Sequence, residues 1–151
     1  MVYAKVGTVT FHRPYLYPKQ LDAIYSPARI SVVEASTKSG KTHGCIVWLT
    51  EKALIEGKPG RHYWWIAPTY GQAKIAYNRL KLALTKGTFK SNDTDQTVTL
   101  LNGAVMEFKT GEKPDHLYGE DVYAAVMDEA TRTREEAWHA VRSTLTATKG
   151  Q

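Results

Sequence analysis

The stretch Ala35-Ser36-Thr37-Lys38-Ser39-Gly40-Lys41-Thr42 decides the fold of this chain. Its spacing is that of a phosphate-binding loop (P-loop), with alanine in the place of the usual first glycine. In such a loop, backbone N–H groups cradle phosphates at the start of a helix. Gly40 allows the backbone to approach closely, the Lys41 ammonium reaches the β- and γ-phosphates, and the Thr42 hydroxyl can ligate Mg²⁺. We therefore expect all eight residues to contact a bound nucleotide; a Gly-Lys-Thr helix start without a ligand is the alternative.

The residues on either side of the loop give it the context that a P-loop requires. Arg29–Glu34 (RISVVE) is a short β-branched run and predicts a buried strand. Lys41–Glu56 predicts a helix, which Gly57 and Pro59 end. Ala35 would be strained in a left-handed conformation, so we expect a slightly altered loop entry that still binds phosphate.

Strands and helices alternate along the rest of the chain. We predict a short helix at Pro18–Tyr25, a strand at Arg61–Ala67, a helix at Tyr70–Lys86 with Ile75, Leu80, Leu82 and Leu84 as its apolar residues, a hairpin of Thr97–Leu101 and Ala104–Thr110 around Asn102-Gly103, a buried strand at Val122–Met127 and a helix at Glu135–Leu145. This order predicts one α/β domain over residues 1–151, with a central, mostly parallel sheet flanked by helices and one inserted hairpin.

Composition excludes several classes of protein. The 151 residues are 42% hydrophobic and 23% charged, which is typical of a globular domain. The sequence has no apolar run of membrane-spanning length and no signal-peptide core at Met1–Lys5, so we expect a cytosolic protein without a membrane partner. The one cysteine, Cys45, excludes an intrachain disulfide and is interpreted as a core thiol. A net charge of +5 favours polyanionic partners only mildly.

An acidic pair follows the apolar run Val122–Met127. Asp128, at the tip of a core strand near the P-loop, can hold the coordination shell of Mg²⁺. Glu129 points the other way and can orient an attacking water as general base. The alternative is a solvated strand end. His116 and His139 have no spacing suited to zinc, and we predict no protein-held transition metal.

Several motifs together resemble one family. In chain order they are Tyr17-Pro18-Lys19-Gln20, Ala35–Thr42, Trp65–Tyr70 (WIAPTY), Pro114–Gly119 (PDHLYG), Asp128-Glu129-Ala130 and the final stretch Trp138–Gly150. In these residues the chain resembles the ATPase domain of the large terminase subunit of tailed bacteriophages, the motor that packages DNA into procapsids.

The resemblance implies a fold, a substrate and partners. The fold would be that of a P-loop ATPase of the RecA-like kind, with ATP and Mg²⁺ as ligands and Gln20 reading the adenine edge. In the host cytoplasm a ring of such subunits on the portal protein, with the small terminase subunit, would translocate double-stranded DNA. The family carries a basic residue at the position of Thr37, so we expect Lys38, one residue later, to supply a catalytic positive charge. The coupling motif would begin just beyond Gln151, and the nuclease domain would be absent, so we expect this chain by itself to bind ATP and to hydrolyse it poorly.

Other interpretations stay open. A helicase-like nucleic-acid-dependent ATPase and a non-catalytic nucleotide-binding module share the same motifs. Basic side chains in and after the predicted helix Tyr70–Lys86 form either a solvated face or a DNA contact: Lys74, Arg79, Lys81, Lys86 and Lys90. Arg132 or Arg134 could approach a nucleotide or act on a neighbouring subunit. The pattern favours helix capping instead, with Thr133 as N-cap and Glu136 three residues on.

Overall fold

The computed structural model describes residues 11–151. Its helices are α1 (Pro18–Ile24), α2 (Lys41–Glu56), α3 (Tyr70–Ala83) and α4 (Glu135–Thr148), and its strands are β1 (His62–Ala67), β2 (Phe89–Asn92), β3 (Thr97–Leu100), β4 (Val105–Thr110) and β5 (Val122–Met127). Short 3₁₀ turns lie at Pro114–His116 and Ala130–Arg132. Among these residues no helix is long and apolar enough to cross a membrane.

The strands form one sheet in the order β2-β3-β4-β1-β5. β1 pairs in parallel with both β4 and β5, whereas β2–β3 and β3–β4 are antiparallel. The predicted α/β class is thus confirmed, and the sheet is mixed, parallel around β1 and antiparallel on the side of the hairpin. β2 was not predicted, because its residues (FKSN) have one apolar side chain and no alternation of apolar and polar residues, and the strand lies on the edge of the sheet.

Helices cover both faces of the sheet. Successive side chains of a strand point to opposite faces. Tyr63 and Trp65 of β1 accordingly pack in one core with α2 and α3, and Trp64 and Ile66 pack in a second core with α4. Because β1 is covered on both faces, its last five residues are all buried.

The predicted strand Arg29–Glu34 is wrong. This stretch has no strand structure in the described part of the chain, and Ile30 and Val32 are 51% and 91% exposed. Its β-branched composition suits a strand, but a strand forms only beside a partner. The Arg29 guanidinium instead donates to the Gly150 carbonyl (3.3 Å), and the next residue, Gln151, pairs with the open edge of β5: its N–H donates to Tyr123 (3.1 Å) and its carbonyl accepts from Ala125 (2.8 Å).

The predicted helix over Tyr70–Lys86 is confirmed with a shorter end and a different buried face. It ends at Ala83 because Leu84 turns to extended backbone (ψ 144°). The buried residues are Ala73, Ala76, Tyr77 and Leu80, at helical spacing. Ile75 and Leu82, two of the apolar residues from which the helix was predicted, are 55% and 88% exposed.

The N-terminus of α4 corrects a further prediction. The N-cap is Arg134, and Thr133 makes no cap. Its hydroxyl is buried without a hydrogen-bond partner among the described residues. Its methyl group packs against Gly111, where an added Cβ would lie 2.3 Å from Thr133 Cγ2. The helix extends to Thr148, three residues past the predicted end. The other predicted elements are confirmed to within about two residues, a margin that helix and strand ends allow.

Candidate nucleotide-binding site

The loop Ala35–Thr42 enters α2 through a tight turn. The Ser39 N–H donates to the Ser36 carbonyl (3.2 Å). Lys38 (φ 62°) and Gly40 (φ 82°) are left-handed within this turn, and Gly40 is the N-cap of α2. The left-handed strain considered for Ala35 thus lies at Lys38, which is exposed. The loop therefore places backbone N–H groups at the N-terminus of a 16-residue helix, the arrangement that binds phosphate.

The Lys41 ammonium lies across its own loop. Its Nζ donates to the Ala35 carbonyl, in a short contact, and to the Ser36 carbonyl at 3.1 Å. These two acceptors are neutral, and anionic oxygens make stronger partners for an ammonium group. Lys41 is therefore positioned where a phosphate at the loop can replace the carbonyl contacts.

Tyr17 and Gln20, at the N-terminus of α1, make hydrogen bonds to the backbone of the phosphate loop. Gln20 is buried, accepts from the Tyr17 N–H (2.9 Å) and donates through Nε2 to the Gly40 carbonyl (3.0 Å). The Tyr17 hydroxyl donates to the Ser39 carbonyl. A Cβ at Gly40 would lie 2.4 Å from Gln20 Nε2, so a larger residue would displace this amide, and the left-handed backbone (φ 82°) favours glycine in any case. The expected adenine contact of Gln20 stays a prediction, while its observed partners are backbone groups.

Thr42 and Asp128 meet beside the loop. The Thr42 hydroxyl lies 3.4 Å from Oδ1 and 3.5 Å from Oδ2 of Asp128, although the two residues are 86 positions apart. Burial raises the pKa of the Asp128 carboxyl, and the Glu129 carboxylate raises it further, whereas the Thr42 hydrogen bond lowers it. A half-buried carboxylate and a hydroxyl are oxygen donors of the kind that Mg²⁺ prefers. Thr42 and Asp128 therefore fit the Mg²⁺ ion predicted to bind there.

Glu129 lies at the exposed end of β5, held from two sides. Its backbone is left-handed (φ 48°). Its Oε2 accepts from Gln72 Nε2 at 3.2 Å and from Arg132 Nη1 at 2.7 Å. Arg132 was predicted in other roles, and Gln72 was not predicted as a site residue. The sequence places each of them after a buried strand, β1 for Gln72 and β5 for Glu129, but only the sheet shows that these two parallel strands are neighbours.

A second cluster of ionisable groups lies at the opposite end of β1. His62, Glu107 and Glu120 bring their ligand atoms within 4.8 Å of one another. His62 Nδ1 contacts Glu107, and Nε2 lies 3.1 Å from Glu120, while Lys109 is 3.3 Å from Glu107. These groups are paired with each other and are separate from the P-loop.

Comparison with known proteins gives matches at the level of fold. The sequence matches no protein-family model and no curated protein. The structure is similar to that of the Thermus phage P74-26 large terminase ATPase domain, with a TM-score of 0.76, 23% identity and 90% of this chain covered. An arginine-to-alanine mutant of that domain gives a TM-score of 0.77 at 22% identity and the same 90% coverage. The chain spans 62% of the length of either structure, and the likeness confirms the predicted resemblance as one of fold.

Proposed function

We propose that this chain is a Mg²⁺-dependent ATP-binding and ATP-hydrolysing domain of a DNA-packaging motor. One observation carries the proposal: the Thr42 hydroxyl at the start of α2 lies 3.4 Å from the Asp128 carboxylate at the end of β5. A metal held between such groups would lie beside the phosphate loop. A helix start that binds nothing gives no reason for a partly desolvated carboxylate to face this hydroxyl.

Each side chain has a role in attack of water on the γ-phosphate. The Lys41 ammonium and the loop N–H groups stabilise the charge that develops on the phosphoryl oxygens. Thr42 and Asp128 would hold Mg²⁺, which would neutralise phosphate charge. Glu129 orients the attacking water and accepts its proton. Lys38 adds positive charge at the loop, and Gln20 reads the adenine edge.

Hydrolysis would drive double-stranded DNA into a procapsid. The support for this step is the likeness to a large terminase ATPase domain, together with the net charge of +5. On this proposal, the complete motor is a ring on the portal protein that also engages the small terminase subunit in the host cytoplasm. The exposed Lys74 and Arg79 of α3 are candidates for phosphate contacts with the DNA.

The test is nucleotide binding by two variants of the whole chain. We expect Lys41→Ala to weaken the affinity for Mg-ATP at least about tenfold in titration calorimetry, because a charge-assisted contact of about 1.5–3 kcal/mol is lost. Lys58→Ala removes the same charge from an exposed position after the end of α2 and serves as the control. Unchanged affinity in Lys41→Ala would show that the site is not a P-loop.

Glu129→Gln then separates catalysis from binding. It should keep ATP affinity and lower the rate of phosphate release about 10²–10⁴-fold, because the proton acceptor is gone. If wild type binds ATP and releases no phosphate even with DNA present, the chain is a non-catalytic nucleotide-binding module. A helicase-like ATPase would instead be stimulated by single-stranded nucleic acid in preference to duplex DNA.

A further inference from the structure

Two hydrogen bonds with Thr69 fix the orientation of the Gln72 side chain. Gln72 lies in the first turn of α3, and its N–H donates to Oγ1 of the N-cap residue Thr69 at 3.3 Å. The Thr69 hydroxyl lies 3.1 Å from Gln72 Oε1 and donates to it. With its oxygen held by Thr69, the amide directs Nε2 toward the Glu129 carboxylate, 3.2 Å away.

Arg132 approaches the same oxygen from the other side. Glu129 precedes the 3₁₀ turn Ala130–Arg132, and the Arg132 N–H donates to the Glu129 carbonyl at 2.9 Å. This turn places the Arg132 guanidinium 2.7 Å from Oε2 of Glu129. An exposed ion pair on its own contributes little to stability. Its significance here is geometric, because two donors from separate elements converge on one carboxylate oxygen.

We propose that Gln72 and Arg132 are positioning residues that orient Glu129 for its role as general base. The inference rests on the proposed function. Both contacts use Oε2, and Oε1 has no hydrogen bond within residues 11–151, so the carboxylate is anchored through one oxygen and can accept from a water molecule through the other. A general base has to be held within hydrogen-bond reach of the proton that it accepts, and a side chain on a half-exposed strand end needs such anchors to stay there.

Steady-state kinetics with Mg-ATP and double-stranded DNA tests this role. We expect Gln72→Ala and Arg132→Ala to lower kcat about tenfold to hundredfold, with ATP affinity within about twofold of wild type because neither residue contacts the P-loop. Gln72→Glu should be slower than Gln72→Ala, since a second carboxylate repels Glu129. Arg132→Lys keeps the charge and should recover part of the rate. Asn78→Ala, on the exposed side of α3, is the control.

A readout without turnover tests the contact itself. In NMR spectra of the whole chain, the side-chain amide signals of Gln72 should shift in Glu129→Ala. They should stay in place in Glu135→Ala, whose carboxylate pairs with His139 on α4. Thermal unfolding of each variant establishes that it is folded.

The outcomes separate the two proposals. Absence of ATP binding, or of phosphate release with DNA, by wild type overturns the proposed function whatever the amide signals show. Wild-type turnover with unchanged kcat in both alanine variants overturns the positioning role alone. Equal rates for Gln72→Glu and Gln72→Ala, with amide signals insensitive to Glu129, would do the same.

Discussion

Two residues of the proposed site, Lys38 and Glu129, have a left-handed backbone conformation. Residues other than glycine adopt this conformation only rarely. Gln96 and Lys149 are the other two such residues in the described part of the chain. Half of these conformations therefore occur at the proposed site, where backbone strain is often retained because it places a functional group. At Lys38 the strain sits at the tip of the phosphate loop, in the turn closed by Ser39 and Ser36.

Lys38→Ala and Lys38→Gly separate the charge from the backbone strain. Both remove the ammonium, so both should lower kcat about tenfold or more if the charge acts on the phosphoryl group. Glycine adopts this φ freely, and the folded Gly variant should be about 1 kcal/mol more stable than the Ala variant in thermal unfolding. Wild-type activity in both variants would contradict the catalytic role predicted for Lys38.

Among the elements, α3 contacts both the proposed nucleotide-binding site and the turn between β2 and β3. Its N-terminus carries Gln72, and further along it binds the β2–β3 turn, where Asp93 accepts from the Tyr77 hydroxyl (2.5 Å) and the Lys81 ammonium (2.7 Å). The hydrogen bond from Lys81, followed by that from Tyr77, lowers the pKa of the Asp93 carboxyl below its ordinary 3.8. Lys81, predicted as part of a DNA-binding or solvated face, is thus paired within the chain.

Replacing Asp93 should make stability depend on pH in a defined direction. Because the folded pKa lies below the unfolded one, the carboxylate stabilises the fold above 3.8, and this contribution is lost as pH falls through the lowered folded value. Asp93→Asn should therefore lower the Tm modestly at neutral pH, and the difference from wild type should shrink as the pH falls below 3.8. Asp95→Asn, which makes the same charge change in the same turn, is the control. A deficit that persists at the acid end would contradict the assignment.

For the molecule as a whole, the sequence predicted what local signals determine. The residues at the two ends of Lys41–Glu56 determine where that helix begins and ends, and Asn102-Gly103 determines the turn of the hairpin. The apolar run before Asp128 forms β5 as predicted. The meeting of Thr42 with Asp128 followed from the order of the motifs. The contact of Gln72 with Glu129 could not be predicted, because it depends on which strands are neighbours. Arg29–Glu34 failed for the same reason, since composition gives the tendency to be a strand and the partner decides it.

Hydrogen exchange tests this last correction across the whole sheet. Amides of Ile30–Glu34 donate to no backbone carbonyl within residues 11–151, whereas β1 is paired on both sides and its side chains from Tyr63 to Ala67 are at most 1% exposed. We expect the Tyr63–Ile66 amides to exchange at least about 10³-fold more slowly than those of Ile30–Glu34, because β1 opens only in large unfolding events. The exposed turn Thr85–Gly87 supplies the fast reference. If Ile30–Glu34 proved as protected as β1, this stretch would be a sheet strand after all, and the description of how the chain enters the phosphate loop would be wrong.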